Sequence, residues 1–150
     1  MDPHRHRTAV VARLALRLYD GLVMACSGGA FPYGKLRRVL RAAAHLHGIH
    51  VEGRRGPRHK AARDFLRAVP VPLGWSASEW DLLTEVIRYQ RGAEPAARHK
   101  PFAQLSTSER DVVRALAGVL RLARGLRRCG ATVPGGVGVA ETAACVRLRV

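Results

Sequence analysis

Arginine is the residue type with the greatest chemical potential in this chain. The sequence has 26 Lys and Arg against 11 Asp and Glu, a formal net charge of +15, and only three of its cations are lysines. A guanidinium presents a planar fork of N–H donors that binds two phosphate oxygens at once, whereas a lysine ammonium acts as a point charge. The composition therefore favours an anionic, phosphate-bearing partner. A genome rich in G and C would also raise the arginine content, and composition alone does not separate the two explanations.

Seven histidines form the second group that could do chemistry. His47, His50 and His59 could approach one another if the loop between two helices folds back, which makes them weak candidates for metal ligands. A metal-dependent hydrolase also needs carboxylate oxygens to hold the cation and activate water. His47 is followed by Gly48, and the nearest acid is Glu52. We therefore expect no complete metal site and no cofactor, and the sequence disfavours a bound divalent metal.

Cysteine usage and hydropathy place the chain in a cellular context. Cys26, Cys129 and Cys145 include no C-x-x-C pair, so they predict neither a disulfide framework nor a zinc site. The basic N-terminus leads into an amphipathic segment, and no stretch reaches the roughly 18 to 20 apolar residues that a membrane span requires. These features predict a cytoplasmic protein without a membrane partner.

The elements that must position these residues are mainly helical. Apolar residues recur every three or four positions, which is typical of amphipathic helices. Ser76 and Ser106 are each followed three residues later by Glu, the capping-box spacing that marks a helix start. The predicted helices run from Thr8 to about Cys26, from Lys35 to about His47, from Ala61 to Val69 with Phe65 and Leu66 inward, and from the two capping boxes toward Arg91 and Arg128.

The C-terminal part has a different pattern. After Cys129 the sequence is rich in Gly and Val, and residues 146–150 alternate apolar side chains with arginine, which predicts a short β-hairpin or an extended tail. The fold class is therefore mainly α, a bundle of about five to six helices. We expect one domain over residues 1–150, with its core at about 8–128 and the distinct segment at 129–150.

Several motifs resemble one known family in order and spacing. They are Leu46-His47-Gly48-Ile49, Arg58-His59-Lys60, the stretch Arg88-Tyr89-Gln90-Arg91-Gly92-Ala93-Glu94-Pro95 followed by His99, Phe102, Leu105 and Ser106, and the segment 114–123. The stretch that begins at Arg88 is the most distinctive. Together they are similar to the C-terminal helical domain of the exopolyphosphatase and guanosine pentaphosphate phosphatase family, over about residues 11–128.

The resemblance implies a helical domain of the histidine-aspartate type that contributes basic surface to a polyphosphate path. It makes two loops the candidates for a shared phosphate-binding groove, and a solvated basic surface is the alternative. In that family the catalytic carboxylate and phosphate loops belong to N-terminal domains that this sequence lacks, so a separately encoded catalytic partner is a further expectation. The candidate phosphate-binding residues are Arg54, Arg55, Arg58, His59, Lys60, Arg88, Arg91, Arg98, His99 and Lys100.

The departures from the family pattern concern acidic residues. Gly48 follows His47 where the family has an aspartate, and Arg124 and Arg127 stand where it has acids. Replacing carboxylates by arginine removes cation ligands and adds anion ligands. We expect Arg121, which lies among apolar neighbours, to be held by an acid such as Asp111 or Glu85.

Three functions follow from these observations. The first is a binding or accessory domain for polyphosphate or a phosphorylated nucleotide, without a complete catalytic site of its own. The second is a phosphohydrolase, or an exopolyphosphatase subunit that a separate catalytic partner completes. The third is a nucleic-acid-binding protein, which the small number of aromatic residues disfavours because bases stack on aromatic side chains.

Overall fold

A computed structural model of the chain describes residues 3–25, 33–53, 56–130, 138–142 and 145–149. These residues form six helices and one hairpin, which confirms the predicted mainly α class. The elements are α1 (Pro3–Ala25), α2 (Tyr33–Leu46), α3 (Arg58–Ala68), α4 (Ala77–Tyr89), α5 (Lys100–Ala103), α6 (Thr107–Arg128), β1 (Gly138–Thr142) and β2 (Cys145–Arg149).

Four helices enclose the apolar core. Helices α1 and α2 pack against each other, and both contact α6, while α4 lies against α2 and α6. The side chains that meet there are fully buried and come from each of the four helices, among them Leu14, Leu40, Leu83 and Leu120. Burial of such side chains contributes about 1.5–3 kcal/mol each. The positions spaced three and four apart in the sequence therefore do form the core.

The capping boxes set the starts of α4 and α6. In each box the serine side chain accepts a hydrogen bond from the backbone N–H of the glutamate, and the glutamate accepts one from the serine N–H. Ser78 Oγ also donates to Glu109 Oε1 at 3.0 Å, which brings the two helix starts side by side. Because α6 is longer than α4, the end of α4 meets the second half of α6.

Helix α3 packs on α4 through buried polar groups. Trp80 Nε1 donates to the Leu66 carbonyl at 3.0 Å, and the buried Glu85 lies 3.6 Å from both Arg63 and Arg67. Burial raises the pKa of the Glu85 carboxyl, and the two arginines partly offset that rise. Phe65 is 40% exposed, so the expectation that it points inward is wrong, whereas Leu66 is buried as predicted.

In the C-terminal segment, the described residues 138–142 and 145–149 form the paired strands of a hairpin, one of the two alternatives that the sequence predicts. Strands β1 and β2 pair antiparallel, with Gly138 opposite Arg149 and Thr142 opposite Cys145, and β1 lies along α1. Over the described residues, no helix combines the length and the apolar character needed to cross a membrane.

Candidate anion-binding site

Two arginines of α6 hold the end of α4. Arg121 donates from Nε to the Tyr89 carbonyl at 2.7 Å and from Nη2 to the carbonyls of Gly92 and Ala93 at 2.9 and 3.0 Å. Arg124 donates from Nη1 to the Gln90 carbonyl at 3.0 Å. The last carbonyls of a helix lack intrahelical donors and carry partial negative charge, so guanidinium groups stabilise them.

This arrangement corrects the expected partner of Arg121. Asp111 pairs instead with Arg114 at 2.8 Å, and Glu85 faces the arginines of α3. Carbonyl oxygens, not a carboxylate, hold the Arg121 guanidinium, so its positive charge is not neutralised by an ion pair. The sequence could not reveal this contact because backbone carbonyls carry no residue-type signal.

A cavity of about 250 Å³ opens between the end of α4 and the second half of α6. Four arginines line it and no acidic residue does, so we call it the arginine cavity. Arg91 and Arg128 are exposed at its rim, while Arg124 is half-buried. Its lining residues are Gln90, Arg91, Gly92, Arg121, Arg124, Gly125 and Arg128.

The charges around the arginine cavity repel one another. The pKa of Arg124 is lowered by burial first and then by the nearby positive charges of Arg91, Arg128, Arg127 and Arg121. A bound anion would remove this repulsion by neutralising the charge between the guanidinium groups. The cavity therefore has the electrostatics of an anion site.

His59, at the start of α3, lies beside Gly92 at the edge of the arginine cavity. A side chain added at Gly92 would place its Cβ 3.2 Å from His59 Nε2, and Gly92 has a φ of +79°, so both space and backbone favour glycine there. Burial lowers the pKa of His59, and the positive charges of Arg88, Lys60, Arg91 and Arg124 lower it further. The start of α3 and the turn after α4 therefore meet beside the arginine cavity.

His47 connects the end of α2 to Gln90, which lines the arginine cavity. Its Nδ1 lies 2.6 Å from the Ala44 carbonyl, to which it can only donate, and the His47 carbonyl accepts from Gln90 Nε2 at 2.9 Å. Burial lowers the pKa of His47, the hydrogen bond to Ala44 raises it in part, and Arg124 and Arg127 lower it again. Nδ1 therefore carries a proton, and the lowered pKa favours the neutral form of the imidazole.

His99 mainly stabilises the local structure. Its Nδ1 lies 2.9 Å from the Tyr89 hydroxyl and accepts the Ala96 N–H at 3.2 Å. A backbone N–H can only donate, so Nδ1 is an acceptor and Nε2 carries the proton. Burial lowers the pKa of His99, followed by the charges of Arg98, Arg88 and Lys60. His99 thus folds the segment after Gly92 back onto α4.

The candidate phosphate-binding residues divide into three groups. The structure brings His59, Lys60, Arg88 and Arg91 together near Arg124, and Arg98 and His99 adjoin them. Arg58 and Lys100 are exposed, and among the described candidates only Arg91 lines the arginine cavity. Arg54 and Arg55 lie outside the described residues.

Arg88 differs from the other candidates because it is buried, with 8% of its surface exposed. Its Nη1 has no hydrogen-bond partner, and its guanidinium carbon lies 5.1 Å from the centre of the Tyr89 ring. A buried donor without a partner costs free energy. Arg88 therefore contributes positive charge near His59 from a buried position and does not present a free side chain at the surface.

The candidate set omitted Arg121, Arg124 and Arg128, which line the cavity. A sequence signal for two of them exists, because Arg114, Arg121 and Arg128 are spaced by seven residues and therefore share one face of a helix. For Arg124 the sequence indicates only that it stands where the resembled family has an acid.

The weak metal candidates His47, His50 and His59 form no metal-binding group, since no three His, Cys, Asp or Glu side chains cluster among the described residues.

Comparison with known proteins adds no assignment to this site. No protein-family model matches the chain, and no curated protein matches it significantly. The resemblance to the exopolyphosphatase group consequently rests on the quoted motifs alone.

Proposed function

We propose that this chain is a binding or accessory domain for a phosphorylated anion, polyphosphate or a phosphorylated nucleotide, and that it has no complete catalytic site of its own. The observation that carries the proposal is the arginine cavity, which four arginines line without a single acid. Burial, and after it the positive charges of the neighbouring arginines, lowers the pKa of Arg124, so a phosphate placed among the four arginines gains attraction and relieves their repulsion.

The donors that remain suit phosphate geometry. Arg121 uses Nε and Nη2 for carbonyls, and Arg124 uses Nη1, so each guanidinium is fixed in place and keeps other N–H groups for a ligand. Fixed donors lose less conformational entropy when a ligand binds than mobile ones do. Arg91 and Arg128 at the rim can then close on the anion as bidentate partners.

The departures from the resembled family support binding rather than hydrolysis. Arg124 and Arg127 stand where that family has acids, and positively charged side chains at these positions repel a catalytic metal ion. Under this proposal, catalysis belongs to a partner of the phosphohydrolase type.

The test is calorimetric titration of the protein with long-chain polyphosphate and with single-stranded RNA of matched charge. We expect Arg91→Ala with Arg128→Ala to weaken polyphosphate binding by at least about tenfold, because two charge-assisted contacts are lost. The matched control is Arg13→Ala with Arg17→Ala, which removes the same charge from the exposed surface of α1.

The other outcomes separate the alternatives. An equal loss in both double variants would mean that affinity follows net charge alone and would refute a defined site. Equal or tighter binding of the RNA would favour a nucleic-acid-binding protein. Metal-dependent release of phosphate by the isolated chain would overturn the non-catalytic assignment.

A further inference from the structure

The loop between α3 and α4 is both apolar and exposed. Residues 68–74 contain no polar side chain, and all of them except Val69 are exposed. Single apolar side chains at a surface are common and need no explanation, but an exposed run of this length is unfavourable unless it has a function. We call residues 68–74 the Leu73 loop and ask what it contacts.

The Leu73 loop turns at its most exposed residue. The Trp75 N–H donates to the Pro72 carbonyl at 3.1 Å, and Gly74 has a φ of +81°. This hydrogen bond and the positive φ at the third position are typical of a type II β-turn, in which Leu73 takes the second position at the tip. The Leu73 side chain is fully exposed, so packing within the chain does not explain an apolar residue there.

Aromatic contacts fix the turn on the side of Trp75. The Arg38 guanidinium carbon lies 4.2 Å from the centre of the Trp75 ring, and Trp75 meets Trp80 edge-on with their ring centres 5.8 Å apart. Trp80 in turn donates to the Leu66 carbonyl at 3.0 Å. The turn is therefore anchored to α2, α3 and α4 together.

Two prolines restrict the other side of the turn. Pro70 and Pro72 fix their own φ and keep the preceding valines extended, in agreement with the φ of −89° and ψ of 147° at Val69. They also lack N–H groups, so the loop is a poor partner for strand pairing with another chain. A segment already held in one conformation loses little entropy when it binds. The loop is thus suited to a contact made by its side chains.

Cations outnumber acids around the base of the Leu73 loop. A backbone hydrogen bond of the capping box lowers the pKa of Glu79 most, and the nearby charges of Arg38 and Lys35 lower it further. Arg67, near the end of α3, is exposed and lies 3.7 Å from Asp81. Since Glu79 is engaged in the capping box, Lys35 and Arg38 keep their positive charge for a contact outside the chain.

We propose that the Leu73 loop inserts into a concave apolar pocket of an acidic partner protein. Leu73 fills the pocket, and Lys35 and Arg38 pair with acidic side chains at its edge. A rigid turn led by one apolar side chain suits a pocket of matching shape rather than a fluid lipid surface. A second copy of this chain is unsuited, because two chains of net charge +15 repel each other.

The Leu73 loop and the arginine cavity are distinct surfaces. The loop precedes the start of α4, whereas the cavity lies at the end of that helix. The 13 residues of α4 span roughly 20 Å. The inference therefore does not depend on the proposed anion binding.

The first measurement replaces Leu73 by the photo-crosslinking residue p-benzoylphenylalanine in the full chain, within the cells that produce it. We expect an adduct with one protein of negative net charge, identified by mass spectrometry. The same replacement at Leu122, an exposed apolar residue of α6, is the control and should not give that adduct. The absence of an adduct at position 73, the same adducts at both positions, or an adduct with a basic protein would contradict the inference.

The second measurement is calorimetric titration of the full chain with the purified protein found in the adduct. Leu73→Gln should weaken binding at least about tenfold, because the burial of the leucine side chain is lost, whereas Leu122→Gln should stay within about twofold. Because Leu73 is fully exposed, this substitution should leave the fold intact, and circular dichroism checks that it does. Equal affinities of wild type and Leu73→Gln would overturn the inference.

Charge reversal tests whether the basic edge of the loop contributes. Lys35→Glu should weaken binding of the same protein at least about threefold, since an attraction becomes a repulsion. Residue 35 lies in the first turn of α2, where an acid favours the helix, so unfolding would not explain the loss. Arg41→Glu, on the same helix and also exposed, is the matched control. An equal loss in both variants would mean that net charge alone acts and would contradict the proposed contact.

Two further results would assign the loop to another partner. Binding of wild type to phosphatidylserine vesicles that Leu73→Gln abolishes would identify a lipid surface. A dimer detected by sedimentation and lost in Leu73→Gln would identify a second copy of the chain. Either result would overturn the inference and leave the proposed anion binding unaffected.

Discussion

The arginines of the cavity combine a structural contact with an unneutralised charge. Arg121 and Arg124 each donate to carbonyls at the end of α4, which fixes the guanidinium groups without cancelling their positive charge. An ion pair would have fixed them equally well, but it would also have removed their attraction for an anion. Because neutral carbonyls hold these guanidinium groups, their positive charge remains available, as the proposed anion binding requires.

The lowered pKa values of three histidines near the arginine cavity predict that the stability of the protein depends on pH. The folded pKa values of His47, His59 and His99 lie below about 6.5, so the unfolded chain binds more protons than the folded chain in the window beneath that value. Their contribution to stability is present above pH 6.5 and is lost as the pH falls through the folded pKa values.

The measurement is urea unfolding at pH 7.5 and pH 5.5 for the wild-type chain and for His59→Gln. We expect a smaller loss of unfolding free energy in the variant, since glutamine cannot be protonated in this range. The exposed His50→Gln serves as the control. Glu85, with its raised pKa, acts in the opposite direction, so the comparison uses the difference between variants. An identical loss in His59→Gln and wild type would contradict the prediction.

At the scale of elements, α6 determines the candidate site because one of its sides is buried in the core and another lines the arginine cavity. Its core-facing residues, Val113, Leu116, Leu120 and Ala123, are fully or almost fully buried, and the capping box fixes where the helix starts. Another side carries the arginines that line the arginine cavity. The same helical period that builds the core therefore also aligns the arginines of the site.

We expect alanine in place of Gly118 or Gly125 of α6 to stabilise the helix, and alanine at Gly125 also to weaken anion binding. Because a Cβ at Gly118 or Gly125 would meet no neighbouring atom, Gly118→Ala and Gly125→Ala should each raise the free energy of unfolding by about 0.5–1 kcal/mol. Urea denaturation of the two variants measures this change. Gly125→Ala should at the same time weaken binding of inorganic diphosphate, since its methyl group enters the arginine cavity. Destabilisation by either alanine would contradict the prediction.

For the whole molecule, the net charge of +15 makes binding of a polyanion sensitive to salt. Each phosphate that an arginine neutralises releases counterions, so the logarithm of affinity falls linearly with the logarithm of salt concentration. General attraction to the surface and specific contacts in the arginine cavity both contribute to that slope. Removing selected arginines distinguishes the two contributions.

We expect the affinity for polyphosphate to fall with salt in wild type and less steeply in Arg91→Ala with Arg128→Ala. On the single-strand scale of about 0.7 per contact, losing two contacts should reduce the slope by roughly 1.4. The measurement is fluorescence titration at four salt concentrations. Arg13→Ala with Arg17→Ala should retain the wild-type slope, and an equal reduction there would indicate that no particular arginines define the site.

The sequence by itself determined the helical class and two helix starts, and its arginine content is the origin of the proposal that the partner is anionic. Helical period and capping are local properties, because they depend on residues three or four positions apart, and so they could be predicted before the fold was known. The choice of Arg91, His59 and Lys60 as candidates also came from the sequence. Their spacing within each loop was visible, although the distance between the loops was not.

Only the tertiary structure decided which cations meet. Arg121 and Arg124 join Arg91 because α4 ends beside the second half of α6, and Arg121 turned out to bind carbonyls rather than Asp111 or Glu85. Such contacts link residues about thirty positions apart, and the partners are backbone atoms common to all residue types. The sequence could therefore specify the chemistry of the site, while helix packing assembled its cavity.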